Sequence, residues 1–343
     1  MFRVPLESLN ALFTHLAQDM ETFAPIRVGN ELNYARYSSG ANVDLQSLKT
    51  ANTPKDLILP QSEDIYNAST KAGKIEIKPA QSNNAPFVIF GIKACDIKAI
   101  GVLDNIYLKG DFVDVIYQAR RESAYLVSLT CNKPAATCFC AAFGLDAANA
   151  GGDVATWICD EHLYLQAQND KGQKLLAKIE HLLEPADEAI VDDKKKEIQE
   201  KIKTLPYGGI DLSRFTPENT LKLFNDENWE HLYKACLGCG VCTYICPTCS
   251  CYDIRDYEGK CGDIHRFRCW DSCMYPDFTL MAHGNPRISQ KERFRQRFMH
   301  KLAYHNEKFG EYGCVGCGRC VNKCPVSLNI VKIIKSLGGA QND

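Results

Sequence analysis

The sequence predicts an α/β domain with a partly parallel sheet, followed by a smaller α-helical domain. Three observations support this division. Two short apolar runs flank a segment of helical periodicity, a strongly charged stretch follows them, and a duplicated cysteine motif lies in the last third. With 343 residues, of which 45% are hydrophobic, the chain is long enough to form two domains with their own cores.

The first twenty residues are predicted to form an amphipathic helix. Polar residues interrupt its apolar face, which distinguishes it from the continuous apolar segment of a signal peptide. The apolar positions are Leu6, Leu9, Leu12, Phe13 and Leu16. No apolar run approaches the roughly 20 residues that cross a bilayer, so we expect no membrane span and a cytoplasmic protein.

A strand, a helix and a second strand are predicted between residues 87 and 129. Residues 87–92 and 124–129 are almost continuously apolar, as in strands buried on both faces. The helical positions between them are Ile97, Ile100, Leu103 and Ile106. Such a unit implies at least a partly parallel sheet. The stretch from Gly29 to Asn84 is polar and variable.

The domain boundary is placed after the charged stretch 187–203, because a proline and two glycines follow it closely. This gives an α/β domain over residues 1–215 and a second domain over 216–343, with an insertion at 252–310. A helix is expected at 290–309. The alternative is that the charged stretch is a solvated helix on the surface of the first domain.

The charge balance excludes two classes of partner. Forty basic against 42 acidic side chains give a net charge of −2, which favours neither nucleic acid nor an anionic membrane. The basic groups are interpreted as solvated faces or partners of carboxylates, without a functional role. They are Arg120, Arg121, the segment from His265 to Trp270, Arg293, Arg295 and Arg297.

Eighteen cysteines are the unusual feature of the composition. Without a secretory signal the thiols should stay reduced, and a chain of this length needs no covalent cross-links, so disulfides are not favoured. Zinc or iron–sulfur clusters are the remaining explanations for so many cysteines.

The last third contains the motif C-x2-C-x2-C-x3-C-P twice, which predicts an α-helical, two-cluster ferredoxin-like domain. In this pattern the first three cysteines hold one [4Fe-4S] cluster and the fourth serves the other cluster. The predicted ligands are Cys236, Cys239, Cys242 and Cys324 for cluster 1, and Cys314, Cys317, Cys320 and Cys246 for cluster 2. Glycines between the ligands should let backbone N–H groups approach the sulfurs. Zinc ribbons use C-x2-C pairs but not this duplicated spacing.

A third cluster is predicted in the first domain. Cys95 follows the first buried strand and Cys131 the second, and ligands collect at the carboxyl ends of parallel strands. Cys138 and Cys140 return on the following loop, which would bring four thiols together. If one of these thiols is not used, Asp96 is a candidate oxygen ligand or hydrogen-bonding neighbour. The alternative is that these cysteines are core residues without a function, or bind zinc.

Three more cysteines lie close to the ferredoxin motif, namely Cys249, Cys251 and Cys273. They are alternative ligands of the third cluster or ligands of an additional centre, and their spacing leaves this choice open. The remaining cysteines, interpreted as structural or free thiols, are Cys159, Cys261 and Cys269.

Nucleotide-binding motifs are absent from the sequence. No G-x-G-x-x-G opens a helix after a strand, and there is no P-loop and no G-x-S-x-G elbow. We therefore expect no flavin or nicotinamide in this chain, which would obtain its electrons from a partner.

The sequence resembles the iron–sulfur β subunits of sulfhydrogenases (soluble [NiFe] hydrogenases) and the corresponding iron–sulfur component of anaerobic sulfite reductase. The segments that carry the resemblance are VIFGIKACDIKAIGVLDNIYL, YQARRE with CNKPAATCFC, CLGCGVCTYICPTCSCYD, WDSCMYPD with AHGNPR, and FRQRF with YGCVGCGRCVNKCP. The resemblance associates an additional cluster with the cysteines of ACD, CFC, TCxC and WDSC. These are Cys95, Cys138, Cys140, Cys249, Cys251 and Cys273.

The resemblance implies an electron-transfer subunit of an oxygen-sensitive complex. It would relay electrons between a FAD-containing, NAD(P)H-oxidising subunit and a catalytic redox subunit of hydrogenase, sulfite reductase or heterodisulfide-reductase type. The alternative is a reductase subunit that binds substrate itself, at an iron with an open coordination position held by Cys95 and Cys131.

Overall fold

The computed structural model describes residues 1–47, 50–71, 74–80, 84–259 and 263–338. In chain order the strands are β1 (Phe2–Pro5), β2 (Glu21–Val28), β3 (Glu31–Arg36), β4 (Ser62–Lys71), β5 (Lys74–Pro79), β6 (Phe87–Ile92), β7 (Ala124–Leu129), β8 (Val154–Cys159), β9 (His162–Ala167), β10 (Glu184–Pro185), β11 (Tyr252–Glu258) and β12 (Ile264–Trp270). The α-helices are α1 (Leu9–Asp19), α2 (Ala94–Tyr107), α3 (Val115–Ser123), α4 (Asp170–Ile179), α5 (Ala189–Lys203), α6 (Thr220–Phe224), α7 (Trp229–Leu232), α8 (Val241–Tyr244), α9 (Gln290–Met299), α10 (His305–Phe309), α11 (Arg319–Lys323) and α12 (Ile330–Gly338).

An eight-stranded mixed sheet organises the first part of the chain. Its strand order is β10-β1-β9-β8-β7-β6-β2-β3, and β2, β6, β7 and β8 run parallel to one another. All six residues of β6 are buried, because helices cover the parallel strands on both faces. The partly parallel sheet and the predicted helix between β6 and β7 are therefore confirmed, and a second helix, α3, which was not predicted, precedes β7.

The amino-terminal helix is confirmed over α1, which buries Leu12, Phe13 and Leu16 in the core of the sheet. The chain before it differs from the prediction. Residues 2–5 form β1, an antiparallel strand that inserts between β9 and β10. Strand pairing across the chain thus overrides the helical periodicity of the first residues.

A second sheet consists of four antiparallel strands in the order β11-β12-β4-β5. Two of these strands come from the polar stretch before residue 84, and two come from the insertion. The expectation of an α-helical second domain is not confirmed, because residues 252–258 and 264–270 are strands. The division at residue 215 stays a prediction, and this sheet crosses it.

The charged stretch forms α5, as the alternative interpretation of a surface helix expected. Val191, Ile198 and Ile202 are buried, while its lysines pair with acidic residues one turn away.

The helix expected at 290–309 is also confirmed. It runs through α9, a π-helical turn (His300–Tyr304) and α10, and a capping box of Ser289 and Glu292 begins it. Over the described ranges, no helix is long and apolar enough to cross a membrane.

A buried ion pair joins the first domain to the second cysteine motif. Asp96, in the first turn of α2, accepts two hydrogen bonds from the Arg319 guanidinium, at 2.6 and 2.7 Å. The two side chains are 1% and 4% exposed, and Thr53 donates a third hydrogen bond to Asp96 at 3.2 Å. Arg319 opens α11 between two predicted cluster ligands, so the pair fixes that loop against α2.

Replacing Asp96 with Asn should lower the free energy of unfolding by about 3–5 kcal/mol, because Arg319 is left buried without a counter-charge. The midpoint of urea denaturation of the anaerobically purified protein measures this change. Asp256→Asn is the matched control, since it breaks the exposed pair with Arg266 and should leave the midpoint unchanged. Equal shifts in the two variants would contradict the role of the buried pair.

Candidate metal centres

The four thiols predicted to hold cluster 1 line a single cavity. Cys236, Cys239 and Cys242 come from the loop before α8 and from α8 itself, and Cys324 comes from the end of α11. The apolar side chains in the rest of the lining are Leu237, Val241, Met274, Phe294, Phe298, Pro325, Val326 and Leu328. The fold therefore brings the last cysteine of the second motif to the first three of the other motif, and their role as ligands stays a prediction.

The thiols predicted for cluster 2 act on one another's pKa. Burial raises the pKa of Cys314, and the charges of Cys320, Cys246 and Cys317 act in the same direction. Burial also raises the pKa of Cys320 to about 12, against the opposing effect of Arg297. Thiolates that repel one another in this way are stabilised when iron binds them, because the metal charge compensates their own.

The backbone around these thiols fits an iron–sulfur cluster. The amide of Gly238 donates to the sulfur of Cys236 at 3.4 Å, and that of Gly316 donates to Cys314 at 3.5 Å. Such N–H···S contacts are the hydrogen bonds expected around cluster sulfurs. Gly316 has φ +62°, and a Cβ there would overlap the carbonyl of Phe139.

The predicted ligands of the third cluster line a second cavity. Cys95 lies in α2 after β6, and Cys131 follows β7, at the carboxyl ends of two parallel strands. Cys138 and Cys140 reach the same cavity from the next loop, and Lys93 also lines it. The remaining lining includes the apolar side chains Pro134, Leu145, Ala147 and Ile202.

This second cavity shares a wall with the second cysteine motif. Gly316 and Cys317 belong to its lining. The amide of Phe139 donates to the carbonyl of Gly316 at 2.9 Å, and the thiol of Cys138 lies 4.0 Å from the carbonyl of Cys317. Cys317, a predicted ligand of cluster 2, therefore also lines the cavity of the predicted third cluster.

Comparison with known proteins agrees with the interpretation of the duplicated cysteine motif. Residues 235–328 match the family described as "4Fe-4S dicluster domain". This segment is a 4Fe-4S dicluster domain. Over 324 residues the chain is 29% identical to sulfhydrogenase 2 subunit beta of Pyrococcus furiosus, and the match covers 94% of this chain and 93% of that protein. The resemblance to sulfhydrogenase β subunits is confirmed, and the dicluster domain implies two [4Fe-4S] clusters.

The structure corrects the expectation for Asp96. Both of its carboxylate oxygens bind Arg319, and it is not among the residues that line the cavity of Cys95. Its role is to hold α2 against the dicluster domain.

The zinc alternative finds no support in the described part of the chain. No three His, Cys, Asp or Glu side chains there are close enough to hold one metal ion. The thiols around a cubane stand farther apart than those around a single zinc ion, because four irons and four sulfides lie between them.

Cys249, Cys251 and Cys273 lie apart from the cavity of Cys95. Cys249 lowers the pKa of Cys246, and Cys273 lowers the pKa of Cys251. None of the three lines the cavity in which the third cluster is predicted.

The other cysteines have structural surroundings. Cys159 is buried at the end of β8, and burial raises its pKa to about 11. Cys269 is half-buried within β12. Cys261 lies outside the described residues.

Three buried cations adjoin the thiols. Lys55 and Lys301 were missed in the sequence, and the interpretation of Arg297 as a solvated or carboxylate-paired group is wrong. Arg297 donates to the sulfur of Cys242 at 2.9 Å, Lys301 to the hydroxyl of Thr248 at 2.7 Å, and Lys55 to the carbonyl of Cys249 at 3.0 Å. Their exposed fractions are 2%, 4% and 3%. A signal was available, because Arg297 and Lys301 are spaced by one helical turn and adjoin the apolar positions of the predicted helix at 290–309.

Replacing Gly318 with Ala should reduce iron retention and thermal stability. A side chain at φ +73° costs about 1–2 kcal/mol, and its Cβ would overlap the carbonyl of Thr137 in the loop before Cys138. Iron per chain after desalting and the thermal midpoint measure the effect. Gly101→Ala in α2 is the control, since no atom lies within 4 Å of its added Cβ. Unchanged iron in both variants would show that the close approach of these loops is not needed for the site.

Proposed function

We propose that this chain is an electron-relay subunit that carries three [4Fe-4S] clusters in a row. The observation that carries the proposal is the wall shared by the cavity of Cys95 and the loop of Cys317. Clusters in adjoining cavities are close enough to exchange electrons, and clusters of this type supply one-electron chemistry when bound.

The proposed ligands follow the three groups of thiols. Cluster 1 is assigned to Cys236, Cys239, Cys242 and Cys324, cluster 2 to Cys314, Cys317, Cys320 and Cys246, and cluster 3 to Cys95, Cys131, Cys138 and Cys140. The second cysteine motif adjoins the cavity of Cys95, and its fourth cysteine is assigned to cluster 1. Cluster 2 therefore lies between cluster 3 and cluster 1 in the proposed relay.

The residues of the chain bind and tune the clusters rather than make or break bonds of a substrate. Amide N–H groups and the guanidinium of Arg297 donate to thiolate sulfur, which favours the more negative, reduced state of a cluster. Apolar side chains around each cavity keep water away and strengthen these interactions. We assign no flavin or nicotinamide to this chain.

The partners are inferred from the relative, which is named as a subunit of a sulfhydrogenase. We propose that this chain works in a cytoplasmic, oxygen-sensitive complex. One partner would be a FAD-containing subunit that oxidises NAD(P)H, and the other a catalytic redox subunit of hydrogenase, sulfite reductase or heterodisulfide-reductase type.

One observation favours a second function, in which the chain binds a substrate itself. A cavity of about 220 Å³ opens next to Cys131. The lysines that line it are Lys93, Lys133, Lys194 and Lys201, and Asp160 is the acidic residue among its lining. A small anion bound there would lie beside the third cluster, where an iron with an open coordination position would reduce it.

The iron content tests the number of clusters. The anaerobically reconstituted chain should hold about twelve irons, and Cys138→Ser should lower this number by about four because one cubane loses a ligand. Iron and acid-labile sulfide per chain measure the change, and Cys159→Ser is the control for a buried thiol outside the three groups. About eight irons in the wild type and in Cys138→Ser would contradict the third cluster.

Dye-linked assays separate the relay from the reductase. The isolated chain should show no reduction of dyes by NADH or NADPH, because it lacks a flavin, and should gain this activity with the FAD-containing partner. Oxidation of the dithionite-reduced chain by a small oxyanion such as sulfite would instead support the second function. In that case, Lys133→Met should raise the KM for the anion.

A further inference from the structure

The cavity of about 220 Å³ lies at the carboxyl ends of three parallel strands. Lys93 directly follows β6, Thr130 directly follows β7, and Ile158 belongs to the end of β8. All three residues line the cavity, and α5 adds Lys194 and Lys201 from the other side. Sheets with parallel strands bind their ligands beyond the carboxyl ends of the strands. The cavity therefore lies where such a sheet takes a ligand.

A buried hydroxyl group of this cavity has no hydrogen-bond partner. Thr130 is 1% exposed, and its backbone amide donates to the carbonyl of Thr156 at 3.0 Å. The side-chain hydroxyl, by contrast, finds no partner within the described ranges. Leaving a buried hydroxyl unsatisfied costs free energy, so its presence in the wall of a cavity indicates a ligand that completes its hydrogen bonding.

A buried amide oxygen of the same cavity also lacks a partner. The Nδ2 group of Asn132 donates to the carbonyl of Ile158 at 3.2 Å, which fixes the orientation of the amide, because the reversed orientation would bring two oxygens together. Its Oδ1 atom has no hydrogen-bond partner in the described part of the chain. This atom can only accept a hydrogen bond. A ligand that satisfies it must therefore carry an O–H or N–H group.

Positive charge predominates around the cavity. The four lysines of the lining stand against one acidic lining residue, Asp160. Two of these lysines, Lys194 and Lys201, share the carboxylate of Glu197. Ammonium groups remain in excess when both carboxylates are counted. Excess positive charge in a partly enclosed cavity concentrates anions, so the ligand should be negatively charged.

We propose that this cavity binds a small oxyanion that carries a hydroxyl group, of which hydrogen phosphate and bicarbonate are examples. Lys93 and Lys133 balance the charge of the anion. The hydroxyl of Thr130 donates to one of its oxygens, and its own hydroxyl donates to Oδ1 of Asn132. A fully deprotonated oxyanion such as sulfate cannot make the last contact. Reduction of the ligand rests on the second function proposed above, whereas its binding does not.

Calorimetric titration of the anaerobically purified holoprotein tests the class of ligand. Inorganic phosphate and sulfate are titrated separately at neutral pH and constant ionic strength. We expect one phosphate per chain and binding of sulfate that is weaker by about tenfold or more, because sulfate has the same shape but no hydroxyl to donate to Asn132. Bicarbonate, titrated in parallel, distinguishes a planar from a tetrahedral ligand. Equal affinity for phosphate and sulfate would refute the proposed contact.

Substitutions test the individual groups. Thr130→Val keeps the shape of the side chain and should weaken phosphate binding by about tenfold, while the thermal midpoint without phosphate should not fall, because an unsatisfied hydroxyl is removed. Asn132→Leu should abolish the preference for phosphate over sulfate, and Lys133→Met should weaken the binding of both anions. The control is Lys196→Met, an exposed lysine of α5 that pairs with Asp193 and does not line the cavity. It should bind phosphate as the wild type does.

Two further results would overturn the site. One is the absence of binding heat with both phosphate and bicarbonate, and the other is unchanged phosphate affinity in both Thr130→Val and Lys133→Met. If Thr130→Val does not fold, Lys133→Met and the anion preference of the wild type decide. Binding of phosphate involves no electron transfer. If phosphate binds as expected but no oxyanion oxidises the dithionite-reduced chain, the site stands and the second function is refuted instead.

Discussion

The ion pair between Asp96 and Arg319 is the contact on which the arrangement of the thiols depends. Asp96 is the neighbour of Cys95, and Arg319 lies between Cys317 and Cys320, so one pair of hydrogen bonds sets the second cavity against the dicluster domain. Burying two charges costs more free energy than an apolar contact of the same size would gain. A buried charge without its partner is still less favourable, so arrangements that separate Asp96 from Arg319 are disfavoured. The pair thereby specifies one docking of the two parts.

The same electrostatic reasoning explains the buried cations. Arg297, Lys301 and Lys55 would be costly in an apolar interior without negative charge nearby. Burial lowers the pKa of Lys301, but the neighbouring Cys246 and Cys249 raise it by more. Cations and thiolates are therefore mutually dependent, and anionic clusters in the proposed positions would add to the compensation.

The second sheet ties the polar stretch of the first domain to the insertion in the dicluster domain. Its hairpin positions Cys251 and Cys273, and Lys55 reaches the same place from the chain before β4. The similarity to the sulfhydrogenase subunit spans 94% of the chain, so it includes both parts that this sheet joins. The groups of thiols and their supports thus belong to one continuous structure.

The sequence by itself determined the features that depend on local spacing. The cysteine motifs, the glycines between them, the unit β6-α2-β7 and the helix at 290–309 follow from residues a few positions apart, whose geometry the backbone fixes. Only the tertiary structure decided the partner of Asp96, the burial of Arg297 and Lys301 beside the thiols, and the second sheet. β5 and β11 are exposed along almost their whole length, so they lack the alternation that marks a half-buried strand. The register of β4 with β12 joins residues about 200 positions apart, and no local pattern encodes a contact over that distance.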